Sequence, residues 1–481
     1  MTIHYPIRPA AGQWSGGAEP ALARSALADV ATEARRTTTL DWLAERNRRQ
    51  PMTVERVDLD DLEGWATDPA TGTIHHESGR FFSIEGIEVR VENGAVSRWR
   101  QPIIDQPEVG VLGILTRTDD GVARFLLQAK AEPGNPGGHQ LSPTVQATRS
   151  NYTRVHKGRS VPYLEHFLER GRHRVVADVR QSEQGAWFRR KRNRNMVVEV
   201  GPEVEEQDGF RWFTLAEIHH LLAVENVVNM DSRTVLSCLA LGTDAVPALG
   251  RFAAAFQASV ARIDGVNEMT AVLSAVTEAR TSIEVSTSPV PLNETTGWHR
   301  RDGLIRHESG AFFEIVGVAV RASGREVDGW SQPMFAARGE GLAAFLVHEK
   351  QGVLHVLLQL RAEPGLVDTV ELAPSVQCTP ATVRSLRDLP APPFFDVVEG
   401  ASAPDIRFDC VMSEEGGRFL GTETRYVIVE ADVPAVPPGY LWVTVGQLQE
   451  LLRHSHYLNV QARSLFACLQ SLSTPSARGE S

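Results

Sequence analysis

Two long stretches of this chain can be laid over one another almost residue for residue. His76-Glu77-Ser78-Gly79-Arg80-Phe81-Phe82 returns as His307-Glu308-Ser309-Gly310-Ala311-Phe312-Phe313, a shift of 231. The register then holds without a gap. Trp99-Arg100-Gln101-Pro102 meets Trp330-Ser331-Gln332-Pro333, and Ala131-Glu132-Pro133-Gly134 meets Ala362-Glu363-Pro364-Gly365. Leu141 to Thr148 meets Leu372 to Thr379, and after the shift falls to 230, Asn229 and Arg233 meet Asn459 and Arg463. A repeat of this length demands one supersecondary plan built twice.

Periodicity supplies the plan. Residues 82–91 alternate apolar and polar at period two, as a half-buried strand does, and 109–115, 122–131, 174–182 and 196–200 read as further strands. Asp119-Asp120-Gly121 is a hairpin turn signal. Thr214-Leu215-Ala216-Glu217 has the form of a capping box ahead of an apolar run to Leu222, and 231–241 carries helical spacing. The second copy repeats these helices at 444–452 and 461–472. Each copy is thus α/β in content, an α+β unit with a mixed sheet and a few helices. Residues 39–48 form a helical prelude to copy one, and 251–263 with 269–279 a helical linker before copy two. The expected organisation is a loosely ordered segment 1–36, a first repeat 37–242, a helical linker and lead-in 243–297, a second repeat 298–473, and a tail 474–481.

With 481 residues, either copy is long enough to bury a core of its own. Hydrophobic content of 42% with 23% charged residues is ordinary for a globular protein. No run approaches the roughly 18 apolar residues of a spanning helix, and the N-terminus lacks a basic start followed by an apolar stretch; a cytoplasmic protein away from the membrane is the expectation. The net charge of −11 argues against nucleic acid as a partner. Four scattered cysteines form no CxxC pair, and Cys238 and Cys468, equivalent in the two copies, read as buried core thiols.

Phosphate loops, dinucleotide fingerprints, HExxH and GxSxG motifs are all missing from the sequence. Adjacent strand residues such as His75 and His76 point to opposite faces, which disfavours a metal pair. No metal or redox cofactor is expected.

One string is more specific than any of these motifs. Leu141-Ser142-Pro143-Thr144-Val145-Gln146-Ala147-Thr148-Arg149-Ser150-Asn151-Tyr152-Thr153-Arg154-Val155-His156-Lys157-Gly158, together with Lys191-Arg192-Asn193-Arg194-Asn195-Met196-Val197-Val198-Glu199, resembles the NDP-hexose 2,3-dehydratases of deoxysugar pathways in natural-product biosynthesis. The likeness extends over about residues 37 to 473. It implies two tandem Nudix-like α/β/α repeats, a homodimer, dTDP-4-keto-6-deoxy-D-glucose as substrate, and a 3-ketoreductase or aminotransferase acting on the product. A working Nudix box, Gx5Ex7REUxEExGU, is absent; Arg325-Glu326 is the only Arg-Glu dipeptide and lacks the rest. Two other readings stay open, a non-catalytic nucleotide-sugar-binding scaffold and a divergent Nudix-type diphosphate hydrolase.

The implied chemistry needs no redox partner. A C4 carbonyl acidifies the C3 hydrogen, so a base at C3, donors for the enolate oxygen and an acid for the departing C2 hydroxyl suffice. Titratable groups present in only one copy are the candidates. His139, Asn151, Tyr152, Arg154, His156 and Lys157 face Val370, Thr382, Val383, Ser385, Arg387 and Asp388, which puts the chemistry in copy one. Tyr152 is the first choice for acid or base, with His139, Lys130 and Glu132 as rivals or supporting donors. Lys130 and Glu132 align with Arg361 and Glu363, so a salt bridge common to both copies is the plainer reading of that pair. Arg192, Asn193 and Arg194, in the most basic segment of an acidic chain, suit the diphosphate, and Arg425 alone survives in copy two. The remaining substrate-binding candidates are His76, Trp99, Gln101, Gln146, Arg149, Ser150, Asn151 and Arg154, with Trp330, Gln332, Arg361 and Gln377 in copy two. Trp99 and Trp330 suit stacking on a thymine ring, but a tryptophan on a shared strand is more often a core residue.

Overall fold

The computed structural model of the chain describes residues 19–28, 33–92, 96–148, 161–169, 171–242, 250–323, 327–386 and 390–473. Each repeat is built on a seven-stranded mixed sheet. In repeat one the order is Arg174–Ser182, Arg192–Glu199, Gly110–Asp119, Val122–Ala131 and Phe210–Thr214, with His139–Pro143 and Val145–Ala147 added to the two strands of the central hairpin. Repeat two has the same order in Ile406–Ser413, Glu423–Glu430, Gly341–Lys350, Val353–Ala362 and Tyr440–Thr444, with Val370–Pro374 and Val376–Cys378 added. In both, one central pair is parallel, Arg192–Glu199 on Gly110–Asp119 and Glu423–Glu430 on Gly341–Lys350. The α/β class and the twin architecture expected from the repeat are therefore present.

The helices follow their local signals. Thr214 accepts from the Glu217 backbone while Glu217 returns a bond to the Thr214 amide, closing the capping box ahead of Leu215–Leu222; Thr444 and Gln447 do the same for Val445–Leu452. Asn229 and Asn459 cap Met230–Leu236 and Val460–Ser471. The first of these stops short of the expected 241. There the Ser237 hydroxyl donates to the Thr234 carbonyl at 2.7 Å, and the Cys238 amide turns to Val235 instead. Within the stretch expected to be loose, Glu19–Ala26 is a helix packed on repeat one. Ser25 donates to Ala123 O at 2.5 Å and accepts from the Leu215 amide at 2.8 Å, as Ser259 of Gly250–Val260 does with Leu354 and Val445.

The repeats are interlocked rather than strung along a linker. Each repeat also carries a small sheet, Phe188–Arg189, Arg98–Asp105, Ser83–Val91, Ile74–His76 and Trp65–Thr67 in repeat one and Gly329–Ala337, Phe313–Ala322, Leu304–His307 and Trp298–Arg301 in repeat two. Strand Met52–Val57, ahead of the first, pairs with Phe313–Ala322 of the second, and its counterpart Val285–Val290 pairs with Ser83–Val91 of the first. The two small sheets share one apolar core, with Phe313 stacked on Phe335 at 4.6 Å between centroids and Trp187 edge-on to Phe419 at 4.5 Å. The repeated Ala-Glu-Pro-Gly turn closes the contact. The Gly134 amide donates to Gly416 O and the Gly365 amide to Gly185 O, both at 2.7 Å. A Cβ on Gly134 would stand 1.7 Å from Phe419 O, and one on Gly365 would stand 1.7 Å from Phe188 O, so only glycine fits.

Polar groups buried at this junction come in symmetric pairs. Ser413 donates to Gln140 Oε1 at 2.8 Å, and at the equivalent place Ser182 donates to Glu371 Oε2 at 2.6 Å. Glu371 is fully buried, and burial pushes its carboxyl up to about 7. A carboxyl raised in the fold contributes stability that is complete below the unfolded value and is lost as pH rises through the folded one. At about 1.4 kcal/mol per pKa unit, ionisation above pH 7 costs as much as ~3 kcal/mol. Glu371→Gln, which installs the amide found at Gln140, should therefore raise the Tm measured by calorimetry markedly at pH 8 and little at pH 5. Equal gains at both pH values would refute the assignment.

Candidate active site

Between the large sheet of repeat two and the small sheets lies a cavity of about 1100 Å3. Its walls include Arg361, Glu363 and Gln377 from repeat two and Trp99, Gln101 and Gln184 from repeat one. Arg361 and Glu363 project from the same face of strand Val353–Ala362 and its end, two residues apart. Arg361 Nε and Gln377 Nε2 both donate to Glu363 Oε1, at 2.9 and 3.3 Å, and Asn459 donates to Gln377 at 2.8 Å. The Trp-x-Gln element is held by its own bonds: Trp99 Nε1 donates to Gln101 Oε1 at 2.8 Å, and Gln101 donates to Ala186 O at 2.8 Å.

The shift of 231 locates the twin of this place in repeat one. Lys130 Nζ lies 3.3 Å from Glu132 Oε1, which also accepts from Gln146 Nε2 at 3.1 Å, and Ser142 donates to Gln146 at 2.9 Å. The salt bridge expected in both copies is thus present in both. Trp330 Nε1 donates to Gln332 at 2.9 Å, and Gln332 donates to Gly417 O at 2.6 Å, the same element supplied now by repeat two. Gly416 sits against Glu132, where an added Cβ would be 3.0 Å from the Glu132 Cβ. Glu415 therefore enters repeat one's site from the other repeat, as Gln184 enters repeat two's. Each site is composite.

Charge separates the twins. Around Lys130 and Glu132 stand Glu183, Asp231, Glu415, Lys191 and Arg418; the equivalents around Arg361 and Glu363 are Glu414, Gln461, Gln184, Thr422 and Trp187. Burial, with the Glu183 carboxylate next, pushes Asp231 well above the aspartate range. Burial and then Glu132 push Glu415 up to about 7, while burial raises Glu183 against the pull of Arg463 and Lys191. Burial brings the Lys191 ammonium down to about 8. Such opposed groups, enclosed together, can hold and move protons near neutral pH. Among the described residues no group of three or more His, Cys, Asp or Glu is arranged to hold a metal ion.

Comparison with known proteins supplies the family. The NDP-hexose 2,3-dehydratase family model matches residues 36–239 and again 269–469. The chain belongs to the NDP-hexose 2,3-dehydratase family. It is 45% identical over 457 residues, 93% of each chain, to the dTDP-4-dehydro-6-deoxy-alpha-D-glucopyranose 2,3-dehydratase of Amycolatopsis orientalis. It is 46% identical to the enzymes of that name from Saccharopolyspora spinosa, over 90% of each chain, and Streptomyces violaceoruber, over 90% of this chain and 96% of the other. No helix among the described residues is long and apolar enough to cross a membrane.

For this member of the dehydratase family, several residues nominated from the sequence meet at the composite site. Lys130, Glu132, Gln146, Trp330 and Gln332 fall there by the bonds above, and Trp99, Gln101, Arg361 and Gln377 gather in the twin cavity. His76 donates to or accepts from Ser78 Oγ at 2.7 Å, and its counterpart His307 lines that cavity. His139 is placed differently. Lys130 pairs across the strands with Gln140, so His139 lies on the other face, against Asn47 Oδ1 at 2.7 Å beneath helix Glu33–Arg49. Arg194 is forked onto Asp178, both bonds 2.6 Å, as Arg425 is onto Asp409. Asn193 donates to Glu183 at 2.7 Å. Arg149, Ser150, Asn151, Tyr152 and Arg154 lie outside the described residues, although Thr382 and Val383, the counterparts of Asn151 and Tyr152, line the cavity of repeat two.

The sequence comparison missed Asp231, Glu415, Glu183 and Lys191. The signal was available, since Asp231 against Gln461 and Glu415 against Gln184 are acid-to-amide changes at the established register. The counterpart of Arg192, Glu423, lines the twin cavity, and the buried Arg192 Nε makes no hydrogen bond among the described residues. Arg192→Ala should raise KM for the NDP-hexose by about tenfold or more, the worth of a charge-assisted bond, with kcat nearly kept. Steady-state kinetics showing an unchanged KM would refute that role.

Proposed function

We propose that this chain is a sugar-nucleotide 2,3-dehydratase that removes water across C2 and C3 of dTDP-4-keto-6-deoxy-D-glucose, and that repeat one does the chemistry. The carrying observation is the enclosed set of carboxyl and amino groups around Lys130 and Glu132; of the five charged groups about that pair, repeat two keeps only the counterpart of Glu183, Glu414, and has Gln461, Gln184, Thr422 and Trp187 at the other equivalent places. Membership of the family and close likeness to three enzymes named for this reaction support the substrate.

The C4 carbonyl makes the C3 hydrogen acidic, and a base takes that proton while donors hold the enolate oxygen. Lys130 is the nearby cation for the enolate. Tyr152 and the Glu132 carboxylate are the candidates for the base; for Tyr152 the support is the register with Val383. Collapse of the enolate expels the C2 hydroxyl, and the resulting enol tautomerises to a 3,4-diketo sugar. That product suits a 3-ketoreductase or aminotransferase, and the family resemblance supports a homodimer.

The test is to incubate the purified chain with dTDP-4-keto-6-deoxy-D-glucose and a 3-ketoreductase and to follow the sugar nucleotide by mass spectrometry. Loss of one water is expected. Release of dTMP would mark a diphosphate hydrolase, and binding without change a scaffold. Lys130→Met should lower dehydration by about 10²-fold or more, whereas Arg361→Met in the twin site should leave it close to wild type. The reverse pattern would move the chemistry to repeat two.

A further inference from the structure

The acid-to-amide differences between the twin sites are not required for folding, because both versions are folded within one chain. Gln184 and Gln461 fill the places in repeat two that Glu415 and Asp231 fill in repeat one. Glu415 is anchored on one side only. Its Oε1 accepts from the Gly417 amide at 3.0 Å, while its Oε2 is enclosed and has no hydrogen-bond partner among the described residues. An enclosed anionic oxygen without a donor is costly, whereas a protonated one is a donor waiting for an acceptor inside the site. The charged groups bearing on Glu415 and Asp231 are Glu132, Glu183, Lys130, Lys191 and Arg418.

We propose that Glu415, delivered into repeat one's site by repeat two, protonates the departing C2 hydroxyl. This rests on the dehydratase reading above. The balance is simple. A base takes the C3 proton and the C3–H pair becomes the enolate; as the C4 carbonyl reforms, C2=C3 forms, the C2–O bond breaks, and the Glu415 proton leaves with that oxygen as water. Tautomerisation then moves the C3 enol proton to solvent and brings one to C2, while the base releases the C3 proton to solvent and Glu415 regains one.

The experiment uses the full chain with dTDP-4-keto-6-deoxy-D-glucose in deuterium oxide, reading water loss and deuterium at C3 together. Glu415→Gln copies the amide that the twin site tolerates, and it should slow dehydration by about 10²-fold or more while deuterium still enters at C3. Glu415→Asp, which keeps an acid, should retain more dehydration than Glu415→Gln. Glu415→Asp carries the test should Glu415→Gln fail to fold, with dehydration lowered further than C3 exchange. A folded Glu415→Gln with wild-type turnover, or one that loses C3 exchange as well as dehydration, overturns the proposal, as does a folded Glu415→Asp that loses C3 exchange in step with dehydration. A wild-type chain that releases no water sinks the dehydratase reading instead.

Discussion

Two arginines at the heart of the molecule hold everything else in register. Arg233 and Arg463 are fully buried, and among the described residues neither is neutralised by a direct carboxylate contact. Arg233 donates to Val228 O in its own repeat and to Ser464 Oγ and Ser413 O in the other; Arg463 donates to Leu458 O, Thr234 Oγ1 and Ser182 O. A planar guanidinium spreads five donors over three nitrogens and so reaches acceptors that face it from different elements, whereas the three donors of a lysine leave a single nitrogen. Removing either would leave buried carbonyls unpaired, a cost of about 1–3 kcal/mol for each group.

The place where these bonds end matters as much as their strength. Ser413 immediately precedes Glu414 and Glu415, and Ser182 immediately precedes Glu183 and Gln184. Each arginine therefore fixes the end of a strand just before it hands a side chain to the opposite site. Packing, the glycine contacts at Gly134 and Gly365, and the Trp-x-Gln bonds all converge on the same two corners. Stability and the composition of the sites are set by the same contacts.

Much of this was written locally. The period-two strands, the Thr214 and Thr444 capping boxes and the constant register are short-range signals, and the secondary structure follows them. The strand exchange was not legible, because Met52–Val57 and Val285–Val290 are equivalent edges. A pattern that fits one small sheet fits its twin, and only the path of the chain through space decides between them. The same degeneracy hid Glu415. Numbering assigns it to repeat two, while the pseudo-two-fold contact carries it into repeat one. His139 fails the other way: it looked distinctive beside Val370, yet strand alternation turns it toward Asn47.

The exchanged strands also bear on how such a chain can change. In an assembly of two identical polypeptides every substitution is made twice, so an acid lost from one site is lost from both. Joining the halves covalently removes that constraint while the reciprocal pairing keeps them inseparable. One pocket can then give up its protons for amides and drift toward another use, and the other keeps the chemistry, with neither free to leave.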